Sequence, residues 1–195
     1  MMRCETLPMI SGSSKQSVSA RAPSKTTQQW IPRQLERPEF RFVLVQERAK
    51  RPVERQWTTI NNYRFGGPKL LDWLAKGRNY GVCCRYGCLV VVDSDDPSIA
   101  ERSQEKLGVT FRVRSDSGRG FHGYFIVEGM QKKEIFERDG KHLGEVQFDG
   151  QMVVGPGSVH PSRRLYEIVN DAPIRDVTVE KFRSASQEVI RVQKS

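Results

Sequence analysis

The sequence predicts an α+β fold, and three observations carry that expectation. Short apolar stretches rich in β-branched residues recur from Phe40 to Val169. Gly, Asp and Pro punctuate them at hairpin-like intervals. Only a few stretches carry helix signals, and they do not alternate with the strands as βαβ units would. Helices gathered on one face of an antiparallel sheet would leave the other face free for a ligand.

Taken in order, FRFVLVQ (40–46) alternates and then runs apolar, as a strand does. PKLLDWLAKG (68–77) has Pro68 placed to start a helix and Gly77 to end one. YGVCC (80–84) and CLVVVD (88–93) read as strands joined by a tight turn at Arg85 to Gly87. In DPSIAERSQEKLG (96–108) Asp96 can cap a helix, Pro97 suits its first turn and Gly108 its exit. VTFRVRS and FHGYFIV flank the turn DSGRG (116–120). LGEVQF, QMVVG and RLYEIV follow as strands, with Asp149-Gly150 read as a hairpin turn. DVTVEKFRSASQEVIRV closes the domain as a helix capped by Asp176.

Residues 1–37, rich in Ser, Thr, Gln, Lys and Arg, read as a flexible basic tail, and 38–190 as the folded domain. The tail either helps hold a nucleic acid or is simply solvated. With 37% hydrophobic and 28% charged residues, the 195-residue chain is ordinary globular material. No apolar run approaches the ~18 residues of a membrane span, and the N-terminus lacks an apolar signal segment, so a cytoplasmic protein is expected. The net charge of +9, of which residues 1–37 hold +4 (six Lys/Arg against two Glu), favours a polyanionic partner such as nucleic acid. Cys83, Cys84 and Cys88 lack zinc-ligand spacing and read as reduced small hydrophobes ending one strand and opening the next.

Polarity is misplaced at three points. Leu89–Val92 runs straight into Asp93, Ser94, Asp95 and Asp96, and crowded carboxylates repel. Alternation puts Asp93 and Asp95 on one face. They either grip divalent cations, for which hard oxygen ligands suit magnesium or manganese, or one of the carboxylates caps the following helix. Capping leaves Asp93 unexplained.

In SDSGRGFHGYF (115–125), Gly118 and Gly120 free the backbone to present N–H groups to phosphate, with Arg119 adding charge. His122 and Tyr124 share a face opposite Phe121 and Phe125, so the imidazole is expected beside the turn and outside the core. The alternative is a glycine-rich hairpin with a surface histidine. Downstream, Glu145 and Gln147 share a strand face, and Glu145 completes a three-carboxylate set unless Asp149 does. Gly155, Pro156 and Gly157 form a stiff bend presenting Ser158 and His160, which either hydrogen-bond a nucleotide or only pin the loop.

In this order the three segments resemble the archaeo-eukaryotic primase superfamily, most closely its bifunctional primase–polymerase branch known from plasmids and mobile elements. LVVVDSD matches the branch's Asp-x-Asp strand, SGRGFH its Ser-Gly-x-Gly-x-His, and EVQFDGQMVVGPGSVHPSRRLY its acidic strand and following loop. KRPVERQW (50–57) is similar to its upstream Lys-Arg-Pro…Trp segment, and the resemblance spans roughly residues 38–170.

The resemblance implies a catalytic core with an RRM-like antiparallel sheet beside a smaller α/β subdomain. It implies a DNA primase/polymerase using Mg2+ or Mn2+ held by Asp93, Asp95 and Glu145. Ser117, Gly118, Arg119, Gly120 and His122 would contact the triphosphate, with Ser158 and His160 beside the nucleotide. The implied partners are a single-stranded DNA template with its primer, NTPs or dNTPs, and a replicative helicase acting separately. Arg112, Arg114, Lys132 and Lys133 would track the template. The family often carries Asp where Glu145 stands and Pro where Gly157 stands. Two rival readings are an inactive single-strand-binding replication module and a two-metal nuclease.

Overall fold

A computed structural model describes residues 31–115, 119–131, 134–138 and 140–191. Most of the expected tail lies outside these residues. Within them, Ile31 and Leu35 are buried in the core, so packing begins upstream of residue 38.

The elements run β1 (Phe42–Leu44), α1 (Pro68–Ala75), β2 (Tyr80–Cys83), β3 (Leu89–Ser94), α2 (Pro97–Leu107) and β4 (Arg112–Arg114). There follow β5 (Phe121–Ile126), β6 (Glu134–Arg138), β7 (Lys141–Gln147), β8 (Met152–Val154), β9 (Glu167–Asn170), β10 (Arg175–Asp176) and α3 (Val179–Arg191). The fold is α+β. A large sheet of order β6-β7-β3-β5-β4-β9 faces a small one of order β1-β2-β8. Every pairing along these paths is antiparallel, and β10 joins β5 in parallel.

The run Leu89–Val92 is apolar throughout because β3 lies at the centre of the large sheet and is covered on both faces. Val90 and Val92 pack with Ile99 and Leu107 of α2 and Phe182 and Ala185 of α3. Leu89 and Val91 pack with Phe42, Tyr80, Val82 and Val153 of the small sheet. Each such side chain contributes roughly 1.5–3 kcal/mol by leaving water. The face expected to lie free is therefore covered by the small sheet around Leu89 and Val91, and it opens where β3 turns acidic.

Two turns expected to close hairpins carry the chain between sheets. β2 and β3 do not pair, because Arg85, Gly87 and Cys88 all take positive φ and swing the chain from the small sheet to the large one. The Asp149-Gly150 turn, closed by Gln151 N–H donating to the Phe148 carbonyl at 2.9 Å, returns it from β7 to β8. Helix α2 starts and stops as expected: Asp96 Oδ1 accepts from Ser98 N at 2.9 Å, and Gly108 exits at φ 95°. Helix α3 is capped by Thr178, whose Oγ1 accepts from Lys181 N at 3.3 Å. Asp176, the expected cap, is held in β10, and Val177 N–H is spent on the Ile126 carbonyl. Strand β6, EIFER, is not among the strands expected from the sequence.

Candidate active site at the open end of β3

The strand register builds the site. Asp93 of β3 stands directly opposite His122 of β5 on one side and Glu145 of β7 on the other. Cross-strand partners share a face, so Glu145, Asp93 and His122 form one row. Asp95 lies just past the end of β3, its N–H tied to the Leu143 carbonyl at 2.8 Å. All four side chains line one cleft of about 270 Å³, together with Lys50 and Tyr166.

Within the row, His122 Nε2 lies 3.3 Å from Asp93 Oδ1, and the histidine side chain is only 6% exposed. Its other ring nitrogen, Nδ1, is buried with no hydrogen-bond partner. The imidazole is thus buried in the packed structure, where it was expected outside the core. Burial pushes the Asp93 carboxyl up. The charge and hydrogen bond of His122, the charge of Lys50 and a hydrogen bond from Gln147 outweigh that and hold it below the usual carboxylate range. Gln147 Nε2 donates to Glu145 Oε1. Gln147 Oε1 is buried without a partner. Asp95 Oδ2 lies 3.5 Å from His142 Nε2, both side chains exposed.

The donor chemistry of Asp93, Asp95 and Glu145 fits a hard divalent cation. The side chains as they stand do not enclose one: among the described residues no group of three His, Cys, Asp or Glu is disposed to hold a metal ion. His142 and Gln147 hold two of the carboxylates by separate contacts.

Of the glycine turn, Ser117 and Gly118 lie outside the described residues. Arg119 is exposed and Gly120 buried, its carbonyl accepting from Ser115 N at 2.9 Å to close the turn ahead of β5. Ser158 is fully buried, with Oγ 3.3 Å from Tyr80 N and 3.4 Å from Tyr80 O. Its hydroxyl is engaged with β2, so it pins the loop and does not face the cleft. His160 is half-buried and accepts from Ser162 N through Nδ1 at 3.2 Å. Between the two histidines stands Tyr166, its ring centroid 5.6 Å from each.

Arg112 and Arg114 flank Val113, which pairs with His122, so they point to the face opposite the carboxylates. Arg112 lies over the Phe121 ring and Arg114 pairs with Glu167 at 2.5 Å. Lys132 and Lys133 lie outside the described residues.

Four cleft residues carry no site role in the expectations from sequence: Lys50, His142, Gln147 and Tyr166. Simple alternation puts His142 on the face opposite Glu145. A register shift between Phe136 and Glu137 breaks that alternation, and His142 reaches Asp95. Gln147 shares the face of Glu145, as strand parity predicts, and reaches its carboxylate.

A family model described as "Bifunctional DNA primase/polymerase, N-terminal" matches residues 32–179. No curated protein matches the chain.

Proposed function

The chain belongs to the bifunctional DNA primase/polymerase N-terminal family, and on that premise we propose that its cleft is the site of template-directed nucleotidyl transfer. The observation that carries this reading is the row Glu145–Asp93–His122, which sets two carboxylates against an imidazole with an unpartnered ring nitrogen. Asp93, Asp95 and Glu145 would hold Mg2+ or Mn2+. Bound there, such cations neutralise phosphate charge and lower the pKa of a primer 3′-hydroxyl.

The chain's own groups do the rest. Asp93 stays ionised at neutral pH because His122 and Lys50 offset its burial. His122, held by Asp93 through Nε2 and packed on Tyr166, would border the β and γ phosphates of the incoming nucleotide. Arg119 and the backbone of the turn at Ser117, Gly118 and Gly120 would receive the same phosphates, orienting the α-phosphate for in-line attack. His160, on the other side of Tyr166, would border the base or sugar. Single-stranded DNA would serve as template.

A gel assay tests this reading, using a single-stranded template, all rNTPs and dNTPs, and Mn2+ or Mg2+, with and without primer. Lengthening of a primer that depends on nucleotide supports a polymerase, and products made without primer support a primase. Shortening of the template would instead indicate a nuclease. A salt-sensitive shift of the template with no synthesis would indicate a binding module.

A further inference from the structure

We propose that Lys50 is a phosphate-binding residue of the cleft, reaching the triphosphate of the incoming nucleotide from the small-sheet side. The inference rests on the nucleotidyl-transfer reading and adds to it a residue from a different sheet.

The loop that carries Lys50 is built as a closed hairpin continuing β1. Val45 bridges Pro52, Gln46 N–H donates to the Arg51 carbonyl at 3.0 Å, and Val53 N–H donates to the Leu44 carbonyl at 2.8 Å. Inside it, Ala49 N–H donates to the Gln46 carbonyl at 3.1 Å around Arg48, which takes φ 52°. A loop bolted at its base presents its tip in one place. That tip puts Lys50 on the wall of the cleft otherwise lined by Asp93, Asp95, Glu145 and His122.

Lys50 is also uncommitted, unlike several other basic side chains around the small sheet. Arg48 lies 4.0 Å from Glu47, Lys69 is paired with Glu54 at 2.6 Å, and Lys76 with Asp72 at 2.6 Å. Lys50 makes no such ion pair among the described residues, yet its charge is felt at Asp93. Three carboxylates facing one cleft repel a triphosphate. A flexible ammonium at the rim offsets that repulsion and supplies three donors that suit phosphate oxygens. The covering loop and the sheet would then close on the nucleotide from opposite sides.

Calorimetric titration of dATP and of ATP in Mn2+, with no template or primer, tests this on wild type, Lys50→Met and Lys50→Arg. Parallel titrations use Mn2+ alone and an oligo-dT single strand. Lys50→Met is expected to weaken nucleotide binding about tenfold, the scale of one charge-assisted contact, and Lys50→Arg to restore most of it. Binding of Mn2+ alone and of oligo-dT should stay within twofold. Wild-type affinity for nucleotide in Lys50→Met would overturn the proposal. So would a matching loss for Mn2+ alone, which would make Lys50 only a partner of the carboxylates, or a matching loss for oligo-dT, which would assign it to the DNA backbone. A wild-type protein that binds neither nucleotide would overturn the underlying reading and this one with it.

Discussion

At Asp93, burial and charge pull in opposite directions. Desolvation alone would favour a neutral carboxyl, and the surrounding His122, Lys50 and Gln147 reverse that preference. Strand parity and the abrupt end of the apolar run singled out Asp93 from the sequence, while Asp95 had the rival reading of a helix cap and Glu145 that of Asp149 in its place. Ser158 was not readable in the same way. Its motif is the same whether the hydroxyl faces a ligand or the backbone, and only the small sheet's position shows Tyr80 to be its partner. Ser158→Ala should therefore cost about 1 kcal/mol of stability for a lost buried hydrogen bond, seen as a lower urea midpoint. Nucleotide affinity, by calorimetry, should be unchanged. Weakened nucleotide binding at full stability would return Ser158 to the cleft.

Among the elements, β7 is pressed against the backbone of β3. Gly144 takes φ 146°, and a Cβ there would run into the Asp93 carbonyl oxygen and the Ser94 backbone. Gly144→Ala should push β7 off β3, costing roughly 1–3 kcal/mol and moving Glu145 away from Asp93. A combined fall in melting temperature and primer extension checks this. The loop carrying Lys50 has its own anchor, Glu54, which accepts from Lys69 of α1 and from the Tyr63 hydroxyl, each at 2.6 Å. Burial raises the Glu54 pKa, but those two partners outweigh it and leave it below its ordinary value.

A lowered folded pKa means the stabilisation is present above the unfolded value of about 4.3 and lost as pH falls through the folded one. Urea midpoints of wild type and Glu54→Gln should thus differ at pH 7 and converge as the pH falls below the unfolded value and through the folded one. The helix-forming stretches were legible because caps and glycine exits are local, as at Asp96 and Gly108. The α3 cap was misplaced because a tertiary pairing, β10 with β5, claimed Asp176 first. Strand β6 was missed because its sequence, EIFER, is too charged to signal a strand without its partner.

On the scale of the whole molecule, the site exists because the chain changes sheets. Turns at Arg85–Cys88 and Asp149–Gly150 carry it across, and the loop from Gly155 to Tyr166 brings it back, laying Tyr166 against His122. None of these crossings was visible in local patterning, where a turn between two strands reads as a hairpin. That is why the fold class and the acidic row were foreseeable while the covering sheet and the basic rim at Lys50 were not. Among the described residues no helix is long and apolar enough to cross a membrane.

On the reading proposed above, the acidic row serves chemistry and not merely the fold. Its most direct test compares wild type with Asp93→Asn plus Asp95→Asn in two assays, primer extension in Mn2+ and single-strand binding by anisotropy. Extension is expected to fall at least a hundredfold while binding to the single strand is unchanged or tighter, since negative charge has been removed from a DNA-facing cleft. Extension at the wild-type rate, or equal loss of both activities in a folded protein, would contradict it.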